Sequence, residues 1–370
     1  MSGPLVHVVG ARPNFMKAAP VIRALEARGI RQLVIHTGQH YDAAMSDVFF
    51  RDLGLPAPDL NLGVGSGSQA TQTAALIVAL ERAFLEIEPA LAIVYGDVNS
   101  TIAAALVAAK LHVPLSHVEA GLRSFDDSMP EEINRRVTDL LSDLHFVTSP
   151  EGVDNLVRSG VPPDRIYFVG NPMIDTLLAN LERFDPAAMR QRLRLPDRYA
   201  VATMHRPANV DHPEQAARVV GMLQAVARLV PLVVPLHPRG RPALESAGLV
   251  ADERLRVVEP LGYVEFLSLV RGAVAVVTDS GGIQEETTIL GVPCLTVRPN
   301  TERPITISHG TNRLVLPEDV AEALGSILSA EVSADRAAPP LWDGHAGDRI
   351  AGVIAAWLGA RAPVRPQAPA

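Results

Sequence analysis

Residues 91–123 read LAIVYGDVNSTIAAALVAAKLHVPLSHVEAGLR, and this stretch determines the class of fold. Its two short apolar runs, Leu91–Tyr95 and Leu115–Val118, are typical of buried strands, and the alanine-rich run Ser100–Lys110 between them is typical of a helix. A strand, a helix and a second strand at this spacing form a right-handed crossover between parallel strands. The stretch therefore predicts an α/β protein with a parallel sheet.

The same alternation continues on both sides of this stretch and predicts two domains. Further strands are expected at Leu5–Val9, Gln32–His36, Leu144–Val147 and Ile166–Val169, and then at Tyr199–Thr203, Leu232–Leu236, Leu255–Val258, Val274–Thr278 and Cys294–Val297. A charged segment interrupts the pattern after Gly170. We expect an N-terminal domain over residues 1–170, a C-terminal domain over 171–347, a last helix near 348–358 that could pack back on the first domain, and a disordered tail over 359–370.

The composition narrows the classes of partner. The chain has 370 residues, with 33 basic against 41 acidic side chains and a net charge of −8. Nucleic acids and anionic membranes select a basic face, so we expect neither as a partner, whereas a small anionic ligand remains compatible. Cys294 is the only cysteine, which excludes an intrachain disulfide, and we expect a cytoplasmic protein. We also expect no signal peptide and no membrane span.

Polar, glycine-containing segments follow several of the predicted strands. The first domain has GARPN, YGDVNS and HVEAGLRS at these points, and the second has TMHRPAN and TDSGGIQEE. Open α/β sheets bind their ligands beyond the carboxyl ends of the strands. We therefore expect a site in a central cleft that the sheets of the two domains face.

The segment 278–286, TDSGGIQEE, suits a phosphate. An apolar strand runs into Gly281 and Gly282, which open a helix whose backbone N–H groups favour an anion. Glu285 and Glu286 are expected in the first helical turn. There they either serve the helix dipole or bind ribose hydroxyls.

Three acidic side chains are candidates for acid–base chemistry. Asp97 and Glu119 each follow a buried strand, and Glu131 begins a predicted helix. Each also has a structural alternative: the first two could bind nearby N–H groups, and Glu131 fits a capping box with Ser128 or an ion pair with Arg135. Carboxylates that converge on one strand-end region raise one another's pKa, which yields a general acid and a general base near neutral pH.

Basic side chains accompany the same turns. Arg12 and Lys17 lie near a predicted helix start, either as anion ligands or as solvated cations. His205 and Arg206 end the first strand of the second domain and would face the cleft. The two histidines of HTGQH (36–40) fall in a strand-to-turn sequence rather than on a helix, and we expect no metal.

The motifs together resemble those of the bacterial non-hydrolysing UDP-N-acetylglucosamine 2-epimerases. The resemblance covers roughly residues 5–358 and rests on GARPNFMK, HTGQH, YGDVNST, HVEAGLRS, MPEEINR, TMHRPAN, TDSGGIQEE and NTERPITISHGTNRLV. It implies a GT-B-type pair of Rossmann-like domains, a homodimer, and a UDP-sugar held mainly by the C-terminal domain. It also implies a reaction without a cofactor, in which UDP is eliminated to leave 2-acetamidoglucal and is then added back.

The resemblance also implies roles for individual residues. Ser280, Gly281 and Gly282 would hold the diphosphate, with His205 and Arg12 nearby. Glu286 would bind the ribose, Phe266 would lie near the uracil, and Arg303 and Lys17 would support the nucleotide-sugar. Asp97, Glu119 and Glu131 match the family's catalytic acids, and we add His205 to that group.

The sequence departs from the family at some positions. Gly262 stands where many members carry glutamine near the uracil, and Asp42 stands in the segment that commonly forms an activator pocket for a second substrate molecule. We therefore expect weak or no activation by substrate, although Gln39, Arg206 and His237 could contribute to such a pocket.

Several alternative functions share the same residues. Relatives that act on UDP-2,3-diacetamido uronic acids carry the same HTGQH, HVEAGLRSF and MPEEINR segments. A hydrolysing 2-epimerase would release UDP and free sugar from the same intermediate. A GT-B glycosyltransferase would share the diphosphate site but would not need three acids, and a catalytically silent nucleotide-sugar sensor would not turn over substrate.

Overall fold

The computed structural model describes residues 3–38, 55, 57–236, 240–329 and 338–361, apart from the side chain of Arg12. Contacts divide the chain into two units, Met1–Thr176 with Pro340–Ala370, and Leu177–Pro339. No helix among the described residues is long and apolar enough to cross a membrane.

The described part of the first unit contains a seven-stranded parallel sheet. Its strands are β1 Leu5–Val9, β2 Gln32–His36, β3 Leu60–Asn61, β4 Leu91–Tyr95, β5 Leu115–Ala120, β6 Leu144–Val147 and β7 Ile166–Phe168, in the order β3-β2-β1-β4-β5-β6-β7. The helices are α1 Arg12–Glu26, α2 Gln69–Ile87, α3 Asn99–Lys110, α4 Pro130–Leu141, α5 Pro150–Arg158, α6 Pro172–Ala179 and the last helix of the chain, α15 Ala346–Arg361. The boundary between the two units falls within α6.

The described part of the second unit contains a six-stranded parallel sheet. Its strands are β8 Ala200–Thr203, β9 Leu232–Pro235, β10 Leu255–Val258, β11 Ala275–Thr278, β12 Cys294–Val297 and β13 Asn312–Val315, in the order β10-β9-β8-β11-β12-β13. The helices are α7 Pro186–Arg192, α8 Pro207–Val210, α9 Pro213–Leu229, α10 Arg241–Ser246, α11 Tyr263–Arg271, α12 Gly281–Leu290, α13 Ile305–Ser308 and α14 Val320–Ser329.

Burial of both sheet faces explains why these strands are apolar throughout. All five residues of β1 and of β4 are buried, as expected for central parallel strands covered by helices on both sides. On one face, Leu76, Leu80 and Phe84 of α2 pack in a core with the alanines of α3. On α1, the backbone at Pro20 closely approaches Gly347 of α15.

The strand order locates a switch point in each sheet. The chain turns in opposite directions from β1 and β4 in the first unit, and from β8 and β11 in the second. A crevice opens beyond the carboxyl ends of such strand pairs, and ligands of doubly wound sheets bind there. The predicted fold class, with two Rossmann-like parallel sheets, is confirmed.

Two strands were missing from the prediction. β3 has two residues, and β13, with the sequence NRLV, lies at the edge of its sheet and is only partly buried. Neither has the continuous apolar run that marks a central strand, so local sequence does not distinguish them from loop.

Candidate active site

Glu119 occupies a strained position at the end of β5. Its φ of 76° is in the left-handed region, and the pairing of β5 with β6 shifts register between Val118 and Ala120. Such a bulge re-aims one side chain, and left-handed backbone at a non-glycine residue is strained. The Glu119 side chain is 3% exposed and accepts a hydrogen bond from Nζ of Lys17 on α1.

The Lys17–Glu119 pair lies directly against the turn after β4. A Cβ on Gly96 would be 3.0 Å from Glu119 Oε2 and 3.1 Å from Lys17 Nζ, and Gly96 has a φ of 63°. Both the space and the backbone angle therefore require glycine at this position. The structure thus brings together Lys17, Glu119 and the turn that carries Asp97.

Asp97 is the more accessible of the two strand-end acids. Its side chain is 23% exposed, and its Oδ2 accepts a hydrogen bond of 2.6 Å from Arg135 Nη2 on α4. The other terminal nitrogen of Arg135 donates to Glu132 Oε2 at 2.5 Å. Arg135 is itself fully buried, so it joins an internal carboxylate to one that reaches solvent.

Glu131 lies in the first turn of α4, half-buried, one turn before Arg135. Neither structural alternative for Glu131 is correct. The N-cap of α4 is Met129 without a side-chain cap bond, and the Ser128 hydroxyl donates to Asp126. Arg135 forms its ion pairs with Asp97 and Glu132 instead. The Glu132 carboxylate also accepts from the backbone N–H groups of Ser124 and Phe125, in the loop between β5 and α4.

The sequence did not predict the buried hydrogen-bond network that joins α4 to β5. Asp139 of α4 accepts from His117 Nδ1 at 2.7 Å and from Arg123 Nη1 at 2.6 Å. Burial alone would raise the pKa of Asp139, but the hydrogen bonds and charges of His117 and Arg123 lower it. The pairing of Glu132 with Arg135 could have been predicted, because in MPEEINR the two residues stand at the i,i+3 spacing of a helical ion pair. No local spacing indicates the pairing of His117 with Asp139.

In the second unit, Asp279 organises the turn after β8. It is fully buried and accepts hydrogen bonds from the backbone N–H groups of His205 and Arg206 and from Asn209 Nδ2. His205 Nδ1 lies 2.9 Å from Asp279 Oδ1, and the histidine side chain is 40% exposed. Burial would raise the pKa of Asp279, but the His205 contact and these N–H donors lower it to about 2. Asp279 is therefore an ionised carboxylate, and it orients His205 at the β8/β11 switch point.

Ser280 is the N-cap of α12, and Gly281 and Gly282 are its first two residues. A Cβ on Gly281 would be 2.6 Å from Arg303 Nη1 and 2.9 Å from Glu302 Oε1. The Arg303 guanidinium therefore lies over the start of a helix whose N–H groups are suited to an anion. The structure brings together Ser280, Gly281, Gly282 and Arg303.

The prediction for the two glutamates of this segment is wrong in register. Because α12 begins at Gly281, Glu285 and Glu286 are its fifth and sixth residues and lie beyond the first turn. Both are buried, and Glu285 Oε1 lies 3.0 Å from Arg303 Nε. Burial and the charge of Glu285 raise the pKa of Glu286 to about 8. Glu286 faces Tyr263 of α11, the helix that also carries the half-buried Phe266.

Some predicted residues lie outside the described part of the chain. These are the Arg12 side chain, and Gln39, Asp42 and His237 of the activator pocket. Of the described groups, Asp97, Glu119, Glu131 and Lys17 belong to the first unit, and His205, Ser280, Gly281, Gly282, Glu286, Arg303 and Phe266 belong to the second.

Comparisons of sequence and of structure with known proteins both match the same family. The family model for UDP-N-acetylglucosamine 2-epimerase matches residues 23–355. The chain is 38% identical to the UDP-N-acetylglucosamine 2-epimerase of Methanocaldococcus jannaschii, over 94% of this chain and 97% of that protein. It is 40% identical to the UDP-2,3-diacetamido-2,3-dideoxy-D-glucuronate 2-epimerase of Pseudomonas aeruginosa, over 84% of this chain and 88% of that protein.

A solved structure of the Methanocaldococcus jannaschii enzyme in complex with UDP-GlcNAc and UDP superposes with a TM-score of 0.90 at 38% identity, covering 95% of this chain and 99% of that chain. The Neisseria meningitidis enzyme bound to UDP-GlcNAc gives a TM-score of 0.87 at 28% identity, covering 95% of this chain and 100% of that chain.

Proposed function

The chain belongs to the UDP-N-acetylglucosamine 2-epimerase family, and we propose that it interconverts UDP-N-acetylglucosamine and UDP-N-acetylmannosamine without hydrolysing either. The observation that carries this proposal is the pair of strand-end acids, Asp97 and Glu119, each bound to a buried cation. A glycosyltransferase would not require two such acids at the ends of neighbouring strands.

The chemistry is an elimination followed by an addition. The bond from C1 to the UDP oxygen breaks with its electron pair on UDP, a carboxylate removes the C2 proton, and a C1–C2 double bond forms. UDP then adds back to C1 while C2 is protonated on the opposite face. The C2 proton is not acidic in the ground state, so positive charge at C1 must develop as UDP departs. Asp97, Glu119 and Glu131 are the proposed acid–base groups and would stabilise that charge.

The second unit supplies groups that suit the leaving group. In the proposed complex, the N–H groups at Ser280, Gly281 and Gly282 bind the diphosphate, Arg303 adds a positive charge, and His205 lies nearby. Stabilising the negative charge on departing UDP lowers the barrier of the elimination. We assign Lys17 and Arg12 to the support of the nucleotide-sugar, Glu286 to the ribose and Phe266 to the uracil.

The Pseudomonas aeruginosa relative supports a second candidate substrate. That protein is named for a UDP-2,3-diacetamido uronic acid and is 40% identical to this chain. The same elimination and addition at C1 and C2 would serve such a sugar, because neither C3 nor C6 takes part. The two substrates must therefore be separated by experiment.

Proton NMR of the purified protein with UDP-N-acetylglucosamine in D2O tests the proposal. The expected result is the anomeric signal of UDP-N-acetylmannosamine, with deuterium at C2 of both nucleotide-sugars. Accumulation of UDP and free sugar would contradict the non-hydrolysing reaction. No exchange with this substrate, but exchange with the 2,3-diacetamido uronic acid nucleotide, would favour the second candidate.

We also propose a homodimer through an apolar face of the first unit. Val78 and Leu85 on α2 and Ile133 and Leu140 on α4 are large exposed apolar side chains, and both helices pack against α3. Exposed apolar side chains on helices that share α3 as a neighbour are suited to a protein interface, and a second copy of the chain would cover them. Light scattering of a Val78→Asp, Leu85→Asp variant should give a monomer mass, whereas Leu229→Asp, at an exposed leucine of the second unit, should not change the mass. Unchanged mass in the first variant would contradict this interface.

A further inference from the structure

His117 is a buried histidine that the mechanism above does not use. It lies in β5, two residues before Glu119, with no exposed surface. Its Nδ1 lies 2.7 Å from Asp139 Oδ1, and its Nε2 lies 2.8 Å from the carbonyl oxygen of Gly96. A carbonyl oxygen only accepts hydrogen bonds, and so does an ionised carboxylate. Because a neutral imidazole has a single N–H, it could satisfy only one of these two contacts.

The proton cannot be assigned to Asp139 instead. Its carboxylate also accepts from Arg123 Nη1 at 2.6 Å and from the backbone N–H of Gly121 at 3.2 Å. These donors surround a charged acceptor, and hydrogen bonds to the ionised form favour that form. Asp139 is therefore the carboxylate, and both nitrogens of His117 must carry protons.

We propose that His117 is a positioning residue for the epimerisation, whose doubly protonated ring fixes the Gly96 carbonyl and so the turn that presents Asp97. The functional part of this proposal rests on the proposed role of Asp97 and Glu119. The protonation state does not, because it follows from hydrogen-bond geometry alone.

The charges around the strand-end acids support the protonated form. The described groups in this network form ion pairs through four anions, namely Asp97, Glu119, Glu132 and Asp139, and four cations, namely Lys17, Arg123, Arg135 and His117. A protonated His117 places a cation beside the buried Asp139 carboxylate, where an unpaired charge would be costly in a medium of low dielectric constant. The imidazolium thus adds positive charge to the strand that carries Glu119.

The neighbouring His145 does not share this role. It pairs with His117 in the register of β5 and β6, and its ring contacts the carbonyl oxygens of Asp139 at 2.7 Å and Arg165 at 3.2 Å. Burial lowers the pKa of His145, and the nearby positive charge of His117 lowers it further. Unlike His117, His145 has no carboxylate of the described residues against its ring, and its lowered pKa leaves one N–H, at Nε2 on the shorter contact.

His7 offers an internal comparison. It is as deeply buried as His117, but its Nδ1 lies 2.7 Å from the Tyr95 hydroxyl, which can donate, while its Nε2 lies 2.8 Å from Gln32 Oε1. Burial lowers the pKa of His7 to about 4. A neutral ring satisfies both contacts, so His7 should carry one N–H where His117 carries two.

Nitrogen-15 NMR of histidine-labelled full-length protein measures these states directly. The ring-nitrogen signals lost in His117→Gln should correspond to two protonated nitrogens, and those lost in His7→Gln to one. A His117 ring with a single protonated nitrogen would overturn the proposal. This measurement needs no substrate, so it stays decisive even if the proposed epimerase activity is absent.

Kinetics of His117→Gln test the positioning role. We expect a fall in kcat of about 10- to 100-fold, because a displacement of about 1 Å at a catalytic group can have this effect. The acid limb of the rate profile should move to higher pH by about one unit, because loss of a nearby cation raises the pKa of carboxylates. UDP affinity and folding should be retained, and His145→Gln should leave the profile unchanged. A variant with lower stability but an unmoved pH profile would leave His117 a purely structural residue and refute its positioning role.

Discussion

The guanidinium of Arg135 binds Asp97 Oδ2 at 2.6 Å with one terminal nitrogen and Glu132 Oε2 at 2.5 Å with the other. One fully buried side chain thus ties the accessible acid after β4 to an internal carboxylate of α4. Because Glu132 in turn holds the Ser124 backbone, the position of Asp97 depends on a loop, a helix and a strand end together. Substitutions near Arg135 and Asp97 should therefore distinguish effects on stability from effects on activity.

Arg135→Ala should lower the free energy of unfolding by about 3–5 kcal/mol, because it leaves the buried Glu132 carboxylate without its cation. Its neighbour Arg136 provides a matched control, since it forms an exposed pair with Asp127 that should contribute less than about 1 kcal/mol. Urea unfolding of both variants measures the difference. Equal losses in the two variants would contradict the inference that burial determines the effect.

The adjacent glutamates of MPEEINR should give opposite results. Glu131→Gln should lower kcat by about 10²-fold or more without loss of stability, because this half-buried group is a proposed acid–base residue. Glu132→Gln should instead cost about 1–3 kcal/mol of stability, since its buried carboxylate binds Ser124 and Arg135. Activity assays and thermal unfolding on the same preparations distinguish the two. An active Glu131→Gln enzyme would remove that residue from the proposed acids.

Gly281→Ala should weaken UDP binding about 10-fold or more with the fold intact. The new methyl group would lie 2.6 Å from Arg303 Nη1, and displacing this guanidinium removes a charged partner of the proposed diphosphate. Gly325, in α14, is a suitable control because a Cβ there meets nothing within 4 Å. Calorimetric titration with UDP should give an unchanged Kd for Gly325→Ala. Tight binding by Gly281→Ala would show that this helix start does not hold the diphosphate.

Glu286 should make the protein less stable as the pH rises. Burial and Glu285 raise the pKa of Glu286 to about 8 in the native state, against 4.5 for an ordinary glutamate. Between these values the native state keeps a proton that the unfolded chain has released, so stability falls with increasing pH by at most about 1.4 kcal/mol per pH unit. Below pH 4.5 both states are protonated and the loss is absent.

Glu286→Gln removes this titration, so urea unfolding between pH 5 and 8 should show a flatter dependence than in the wild type. Glu253→Gln, at an exposed position, should retain the wild-type slope. Parallel curves for wild type and Glu286→Gln would contradict the raised pKa.

Much of the fold and the family could be predicted from the sequence. Strands such as β1 and β4 were found because a central parallel strand is apolar along its whole length. The family was identified from short motifs that fall at strand ends, and the family match confirms it. The edge strand β13 was missed because partial burial leaves no such pattern.

Partner choice within the site was harder to predict. The sequence offered Glu131 as the partner of Arg135 at i,i+4, whereas the folded chain pairs Arg135 with Glu132 and Asp97. The register of Glu285 and Glu286 also depended on where α12 begins, and helix ends are not sharply encoded.

The sequence by itself determined the two parallel sheets, the family and the acidic and glycine-rich turns, because periodicity and motifs are local properties of the chain. Only the tertiary structure decided which cation each carboxylate binds, that His117 lies between Asp139 and the Gly96 carbonyl, and that Glu286 is buried beside Glu285. Those relationships join residues from different strands and helices. They depend on how the elements pack, and burial then sets the strength of each charge interaction.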